Sequence, residues 1–190
     1  MKLGEGSLTA LIRFLFYSHN HWDHTRGGRV FREAGAAIVS HAAARDYIAA
    51  NPTADLELPD QTWAGASAAF TLGNTTLELH YLGLSHGHGM TCFVLPKQKV
   101  LKDFSLLCSL QPLVQVGYLA DIVSPKAVSF QFMPDFNLPG LLHTLDAFSQ
   151  FDVDTIIFAH NGNYLDPLET GDQDTVRFQI QYITDIQDRA

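Results

Sequence analysis

The motif SHNHWDH at residues 18–24 places three histidines and one aspartate within six positions. It directly follows a short apolar and aromatic segment, which predicts a buried strand that ends in a ligand-bearing loop. His19 and His21 stand two residues apart, so their side chains project to the same side of an extended chain and can hold one ion. Asp23 and His24 follow where the chain turns towards a helix, and they can hold a second ion. The motif therefore predicts a metal site rather than a surface loop that is merely rich in histidine.

Further candidate ligands occur at three later places, each in or after an apolar strand segment. The loop SHGHG offers His86 and His88, and its glycines allow the backbone to approach an ion closely. Asp121 lies inside an apolar segment, where an unpaired carboxylate would cost free energy and a cation partner would remove that cost. His160 directly follows another apolar strand. These positions supply the additional ligands that a site with two metal ions requires.

The pattern of apolar residues predicts strands that alternate with helices. The predicted strands are Phe14–Tyr17, Ala36–Ser40, Ala68–Leu72, Thr75–Leu82, Met90–Leu95, Tyr118–Val123 and Thr155–Phe158. The predicted helices are Arg26–Ala34, His41–Ala50, Leu138–Phe148 and Gln173–Asp188. This alternation predicts an α/β protein with helices outside the sheets, built as one domain over residues 1–190.

Composition argues against several classes of function. The chain has 190 residues and a formal net charge of −8, and an acidic surface argues against binding a nucleic-acid backbone. No apolar run approaches the roughly 18 residues of a membrane span, so no membrane association is expected. The start, Met1–Gly6, lacks the pattern of a secretory signal peptide, which predicts a cytoplasmic protein.

Four segments, in this order along the chain, resemble the metallo-β-lactamase superfamily. They are SHNHWDH at 18–24, YLGLSHGHGMTCFVLP at 81–96, YLADIVSP at 118–125 and IIFAHNG at 156–162. The resemblance implies an αββα sandwich that carries two adjacent metal ions. The ligands it implies for the first ion are His19, His21 and His86. Those it implies for the second ion are Asp23, His24 and His160, with Asp121 as the bridge between the ions.

The loop between residues 85 and 89 contains two histidines, and the resemblance favours one of them as the ligand. In the family, the ligand histidine often lies about ten residues before the proline that ends the next strand. Counting back from Pro96 selects His86. His88 is then a group beside the site or in contact with substrate, and it remains the alternative ligand.

The resemblance implies a hydrolase that uses two zinc ions, with iron or manganese as alternative metals. Hydroxide held by the metals would attack the carbonyl of a small ester, lactone, thioester or amide. Asp23 would be the catalytic residue that orients this hydroxide or accepts its proton. The second histidine position of the first motif is His21 rather than Glu, and in this the chain resembles the family's hydrolases more than its di-iron oxygen and nitric-oxide reductases. The alternatives are a non-catalytic remnant that binds one metal or none, and a mononuclear iron dioxygenase of the same fold.

Two departures from the family pattern lead to further expectations. Only 18 residues precede His19, where family domains usually carry two or more hairpins, so we expect an N-terminal truncation that removes part of the first sheet. Residues 102–117 interrupt a strand that would otherwise run from Val100-Leu101 into Tyr118, and we expect an inserted, poorly packed excursion there. The sequence does not indicate an oligomeric state.

Overall fold

The computed structural model describes residues 12–98, 114–124, 134–160 and 170–189. Its strands are β1 (Phe14–Phe16), β2 (Ala37–His41), β3 (Gln61–Trp63), β4 (Ser67–Leu72), β5 (Thr75–Tyr81), β6 (Thr91–Gln98), β7 (Val114–Leu119), β8 (Thr155–Phe158) and β9 (Thr170–Gly171). Its helices are α1 (Trp22–Thr25), α2 (Gly28–Glu33), α3 (Ala42–Ala50), α4 (Leu138–Phe148) and α5 (Gln173–Arg189). In the described part of the chain, no helix has both the length and the apolar character needed to cross a membrane.

The strands form two sheets. The first is parallel and has the order β1-β2-β3. The second has the order β4-β5-β6-β7-β8-β9, and its strands are antiparallel except for the pair β7 and β8. Because β7 and β8 run in the same direction, their carboxyl ends lie at one edge of the sheet.

Alternating side chains divide the first sheet into an inner and an outer face. Phe16 and Val39 point inward and pack in a cluster that includes Phe93 of the second sheet. Ile38 points outward and packs against Ile48 of helix α3. The first sheet is therefore covered by the second sheet on one side and by a helix on the other.

The second sheet separates its two faces in the same way. Phe93 points towards the first sheet, whereas its neighbours Cys92 and Val94 belong to a cluster with residues of α4 and α5. The helix residues in this cluster include Leu141, Leu145, Phe148, Val176 and Ile183. The layers follow the order helix, sheet, sheet, helix, and the predicted αββα sandwich is confirmed.

Most predicted elements are present, with corrections at their ends. Helix α4 and strand β8 have the predicted bounds, whereas α1 and β9 are not predicted by the sequence. The three-residue strand β3 lies within residues 51–65, where the polar, proline-containing sequence predicts a loop with at most a short strand. Strand β6 does not end at Leu95 but continues past Pro96 to Gln98. Its pairing with β7 shifts register between Leu95 and Gln98, and such an irregularity is where a sheet accommodates a proline.

Strand β7 corrects two predictions about the region before Asp121. The strand spans Val114–Leu119 rather than Tyr118–Val123, so Asp121 follows the strand instead of lying inside it. Val116 and Gly117 pair with Leu95 and Val94, and residues 114–117 are therefore part of the sheet rather than an excursion. Residues 102–113 lie outside the described residues, and for them the insertion stays a prediction.

Candidate metal centre

Loops and turns at the ends of strands bring the predicted ligands together. His19 and His21 lie between β1 and α1, and Asp23 and His24 lie in the short helix α1 itself. The loop between β5 and β6 supplies His86. Asp121 and His160 follow the neighbouring parallel strands β7 and β8, whose carboxyl ends share an edge.

The first cluster consists of His19, His21, His86 and Asp121, and all four residues are buried. One potential ligand atom from each lies within 4.8 Å of those from the other three. Asp121 Oδ2 is 3.2 Å from His86 Nε2 and 3.6 Å from His19 Nε2. These residues are the ones that the resemblance implies for the first ion, together with the bridge.

The second cluster consists of Asp23, His24, Asp121 and His160. His24 Nε2 is 3.0 Å from Asp121 Oδ2, 3.2 Å from Asp23 Oδ2 and 3.2 Å from His160 Nε2. His160 Nε2 is also 3.2 Å from Asp23 Oδ2 and 3.3 Å from Asp121 Oδ1. Asp121 is the member that both clusters share, which is the position of a bridging carboxylate.

His88 lies outside both clusters. Its ring stacks on Tyr47, with centroids 4.7 Å apart, and its backbone exchanges hydrogen bonds with Asn20. Of the two histidines in this loop, His86 is the one beside Asp121.

The spacing of the donor atoms fits a metal ion in the second cluster. Around a tetrahedral ion with bonds of about 2.0–2.1 Å, neighbouring ligand atoms lie roughly 3.3 Å apart. The distances given above between donor atoms of Asp23, His24, Asp121 and His160 run from 3.0 to 3.3 Å. Imidazole nitrogens and carboxylate oxygens are also the donors that Zn²⁺ and other transition metals prefer.

Unpaired buried atoms in the first cluster also fit a cation. His19 Nδ1 is hydrogen bonded to Ser18 Oγ at 3.0 Å, which leaves Nε2 to face the cluster. His19 Nε2 is buried and makes no hydrogen bond to a residue that the structure describes, and buried Asp121 Oδ1 has a 3.3 Å contact with His160 Nε2 but no hydrogen bond within the described residues. Buried polar atoms without hydrogen bonds cost free energy, and a bound cation would satisfy both of these atoms.

The charges of the two clusters are set by burial and by Asp121. Burial raises the pKa of Asp121, but hydrogen bonds from His24 and His86 outweigh burial and hold that pKa well below its usual value. Burial lowers the pKa of His19 well below 6.5, and it also lowers the pKa of His21. Burial likewise acts to lower the pKa of His24, but the hydrogen bond to Asp121 prevails and raises it. The first cluster therefore combines an ionised Asp121 carboxylate with neutral imidazoles at His19 and His21, the forms that bind metals.

Asp121 has an unusual backbone conformation. Its φ is 55°, and among the described residues it is the one non-glycine residue with positive φ. The Ile122 N–H donates to the Ala120 carbonyl at 2.6 Å, which closes a tight turn centred on Asp121. Such a conformation costs on the order of 1–3 kcal/mol and is typical of functional sites. The turn directs the carboxylate to the point between the two clusters.

Two neighbours of the first cluster were not identified from the sequence. Asp135 Oδ1 is 3.0 Å from His21 Nε2, and Asn20 Nδ2 donates to Asp135 Oδ2 at 3.0 Å. Burial raises the pKa of Asp135, but the hydrogen bonds from His21 and Asn20 hold it below its usual value. Asn20 lies within the histidine motif, whereas Asp135 is 114 positions from His21, and no sequence pattern connects them.

Comparisons with known proteins agree with this fold. The sequence profile of the metallo-beta-lactamase superfamily matches residues 12–101. A metallo-beta-lactamase from Pontibacter korlensis superposes with a TM-score of 0.68 at 18% identity, covering 90% of this chain and 69% of that one. The DIM-1 metallo-beta-lactamase superposes with a TM-score of 0.67 at 15% identity, covering 90% of this chain and 67% of that one. BJP-1, a subclass B3 metallo-beta-lactamase of Bradyrhizobium japonicum, superposes with a TM-score of 0.59 at 15% identity, covering 93% of this chain and 72% of that one.

One matching relative is named as a demethylase subunit and not as a metallo-beta-lactamase. The chain is 28% identical over 126 residues to the alpha subunit of a 2,4-dinitroanisole O-demethylase from Nocardioides sp. strain JS1661. The match covers 66% of this chain, and the chain spans about a third of the length of that relative. The sandwich fold and the profile match over residues 12–101 lead to one conclusion: the chain has the metallo-β-lactamase fold, and its N-terminal half is similar in sequence to that superfamily.

Proposed function

We propose that the chain is a hydrolase with two metal ions, zinc in both positions, that acts on a small ester, lactone, thioester or amide. The observation that carries the proposal is the pair of four-residue clusters joined at Asp121. Each cluster alone offers enough donors for one ion, and the shared carboxylate brings the two positions close enough to act on one substrate. Two metal ions, when bound, activate water at neutral pH and polarise the substrate carbonyl.

The residues around the second position are suited to the proton transfers of hydrolysis. Asp23 and His160 have side chains 44% and 55% exposed, so water and substrate can reach them. We assign Asp23 the role of orienting the attacking water and accepting its proton. As the bond from water oxygen to the carbonyl carbon forms, the bond to the leaving group breaks, and the proton passes to the departing alcohol, thiol or amine.

An apolar cleft supports a small organic substrate. The cleft has a volume of about 330 Å³, and His24 of the second cluster lies in its wall. Its other walls include Phe16, Phe93, Tyr118 and Ile157. An apolar part of the substrate would gain free energy by leaving water there. With the net charge of −8, this lining favours a neutral small molecule over a nucleic acid.

A second candidate substrate is an electron-poor aryl methyl ether, as the name of the Nocardioides relative suggests. The reaction would use the same activated water. A bond would form from water oxygen to the ring carbon, the bond from that carbon to methoxide would break, and the products would be a phenol and methanol. Both candidates require attack on an electron-poor carbon beside the second cluster.

The test combines metal content with turnover. The purified chain is analysed for zinc, iron and manganese, and it is then assayed on ester, lactone, thioester, β-lactam and 2,4-dinitroanisole substrates with and without a chelator. The proposal predicts close to two equivalents of zinc and hydrolysis that stops with chelator and returns with zinc. His160→Ala should abolish this turnover, whereas His143→Ala, which changes an exposed histidine on α4, should not.

Three results would contradict the proposal. Well under one equivalent of metal and no turnover would indicate a non-catalytic remnant of the family. One equivalent of iron with consumption of oxygen would indicate a dioxygenase. Equal activity in His160→Ala and His143→Ala would place the chemistry outside the two clusters.

A further inference from the structure

We propose that Asp135 is a positioning residue for the first metal site. It would bind the Nε2–H of His21 and so turn the other ring nitrogen, Nδ1, towards the ion. The inference rests on the proposed function, because it assigns His21 to that ion. It adds a residue that belongs to neither ligand cluster.

The contact between Asp135 and His21 is short and shielded from water. His21 Nε2 lies 3.0 Å from Asp135 Oδ1 and 3.2 Å from Asp135 Oδ2. The two side chains are only 3% and 6% exposed. An ionised carboxylate can only accept hydrogen bonds, so it selects the tautomer of neutral His21 with its proton on Nε2. In that tautomer Nδ1 carries the lone pair, which is the form a metal ligand needs.

Asn20 fixes the position of the carboxylate. Its side-chain Nδ2 donates to Asp135 Oδ2 at 3.0 Å, and its Oδ1 accepts from the backbone N–H of His88 at 2.6 Å. The backbone N–H of Asn20 also donates to the His88 carbonyl at 3.2 Å. The Asn20 side chain therefore joins three loops, those at residues 18–21, 85–89 and 134–137. These hydrogen bonds hold the Asp135 carboxylate in contact with His21.

Gly87 closes the same edge of the His21 ring. A Cβ built on Gly87 would lie 3.0 Å from His21 Nε2 and 2.8 Å from Asn20 Oδ1, so the backbone packs directly against both groups. The Nε2 edge of the ring is thus enclosed by Asp135 and by residue 87. The ring cannot present Nε2 to the ion without breaking the hydrogen bond to Asp135. Orientation of a metal-bound histidine by a carboxylate is typically worth a 10–100-fold gain in metal affinity.

The test uses Asp135→Ala and Asp135→Asn, with Asp146→Asn on the exposed side of α4 as the matched control. Metal affinity of each site is measured by titrating the chelator-treated chain with Co²⁺ in competition with an indicator, while the visible spectrum is recorded. Asp135→Ala should weaken binding of one Co²⁺ ion by about 10–100-fold and change its spectrum, and should leave the other ion unaffected. Asp135→Asn retains an acceptor oxygen without the charge, so its loss should be smaller. The control should bind both ions like the original chain.

A second measurement does not depend on bound metal. Nitrogen NMR of the chelator-treated chain reports which ring nitrogen of His21 carries the proton. The original chain should show the Nε2–H tautomer, and Asp135→Ala should show a mixture of both tautomers. A mixture in the original chain overturns the assignment of Asp135, and so does unchanged Co²⁺ binding in Asp135→Ala.

The outcomes separate this inference from the proposed function. If the original chain shows the Nε2–H tautomer but binds no metal, the proposed function fails while the hydrogen bond stands, and the role of Asp135 in metal binding is refuted with it. If the chain binds two ions and Asp135→Ala binds both equally well, the function stands and only the inference fails. If Asp135→Ala weakens the binding of both ions equally, the residue acts on the fold and not on His21.

Discussion

The two halves of the candidate metal centre, its first and second clusters, differ in burial. In the first cluster, every member is buried, and the neighbours Ser18, Asn20 and Asp135 hydrogen bond to its members or to each other. In the second cluster, Asp23 and His160 are exposed. One site can therefore hold its buried ligands rigidly and still admit water and substrate. The buried half is fixed in place by the protein interior, and the exposed half is open to water and substrate.

Asp121 is where the two halves meet, and its removal should have the largest effect. We expect Asp121→Asn to lower the affinity for both metal ions by at least about a hundredfold, since loss of a residue that only orients a ligand already costs 10–100-fold. Asparagine tolerates the positive φ at this position, so the backbone turn should persist. Metal titration and hydrolysis assays measure the effect. Loss of only one ion would show that Asp121 does not serve both halves.

The buried and exposed ligands can be separated by His86→Ala and His160→Ala. Each substitution should lower the affinity for one ion by about a hundredfold and leave the other ion bound. In the chelator-treated chain, His86→Ala should also lower the melting temperature, because it leaves a cavity at a residue that is 1% exposed. His160→Ala should leave that melting temperature unchanged. Equal melting temperatures for the two variants would refute the difference in burial that distinguishes the two halves.

Gly87→Ala should disturb only the buried half. The added methyl would lie 3.0 Å from both His19 Cδ2 and His21 Nε2, so these rings or the loop must shift. Overpacking of this kind costs roughly 1–3 kcal/mol. We expect weaker binding of the first ion, measured by Co²⁺ titration, and unchanged binding of the second. If the second ion were weakened as strongly, the two halves would not be independent.

The free energy of unfolding should depend on pH with opposite signs for His19 of the first cluster and His24 of the second. The pKa of His19 is lowered in the folded chain, so the unfolded chain binds its proton more readily, and the stability that neutral His19 gives is lost as the pH falls below 6.5. The pKa of His24 is raised, so its contribution is present below 6.5 and is lost as the pH rises through the folded-state pKa. Each histidine changes the free energy of unfolding by at most about 1.4 kcal/mol per pH unit.

Urea unfolding of the chelator-treated chain at a series of pH values measures both effects. His19→Gln should reduce the slope below pH 6.5, and His24→Gln should reduce the slope above it. The same difference predicts that acidification releases the second ion before the first, because protons compete for His24 at a higher pH. Release of the first ion before the second would contradict this account.

The sequence was sufficient to predict the elements that local pattern determines. The spacing in SHNHWDH, the apolar strands and the helical repeat of Leu138–Phe148 all depend on neighbouring residues, and the structure contains the corresponding elements. The predicted bounds of strand β7 were wrong because residues 114–117 pair with strands β6 and β8, which are distant in sequence. Asp135 was missed for the same reason, since its partner His21 lies far away along the chain.

Calorimetric titration of the chelator-treated chain with Zn²⁺ tests the central claim most directly. If seven side chains form two joined sites, the titration will show two binding events, and it will show one event in His160→Ala and one in His86→Ala. Binding of a single ion by the original chain, or loss of both events in His160→Ala alone, would contradict the division into a buried and an exposed site that share Asp121.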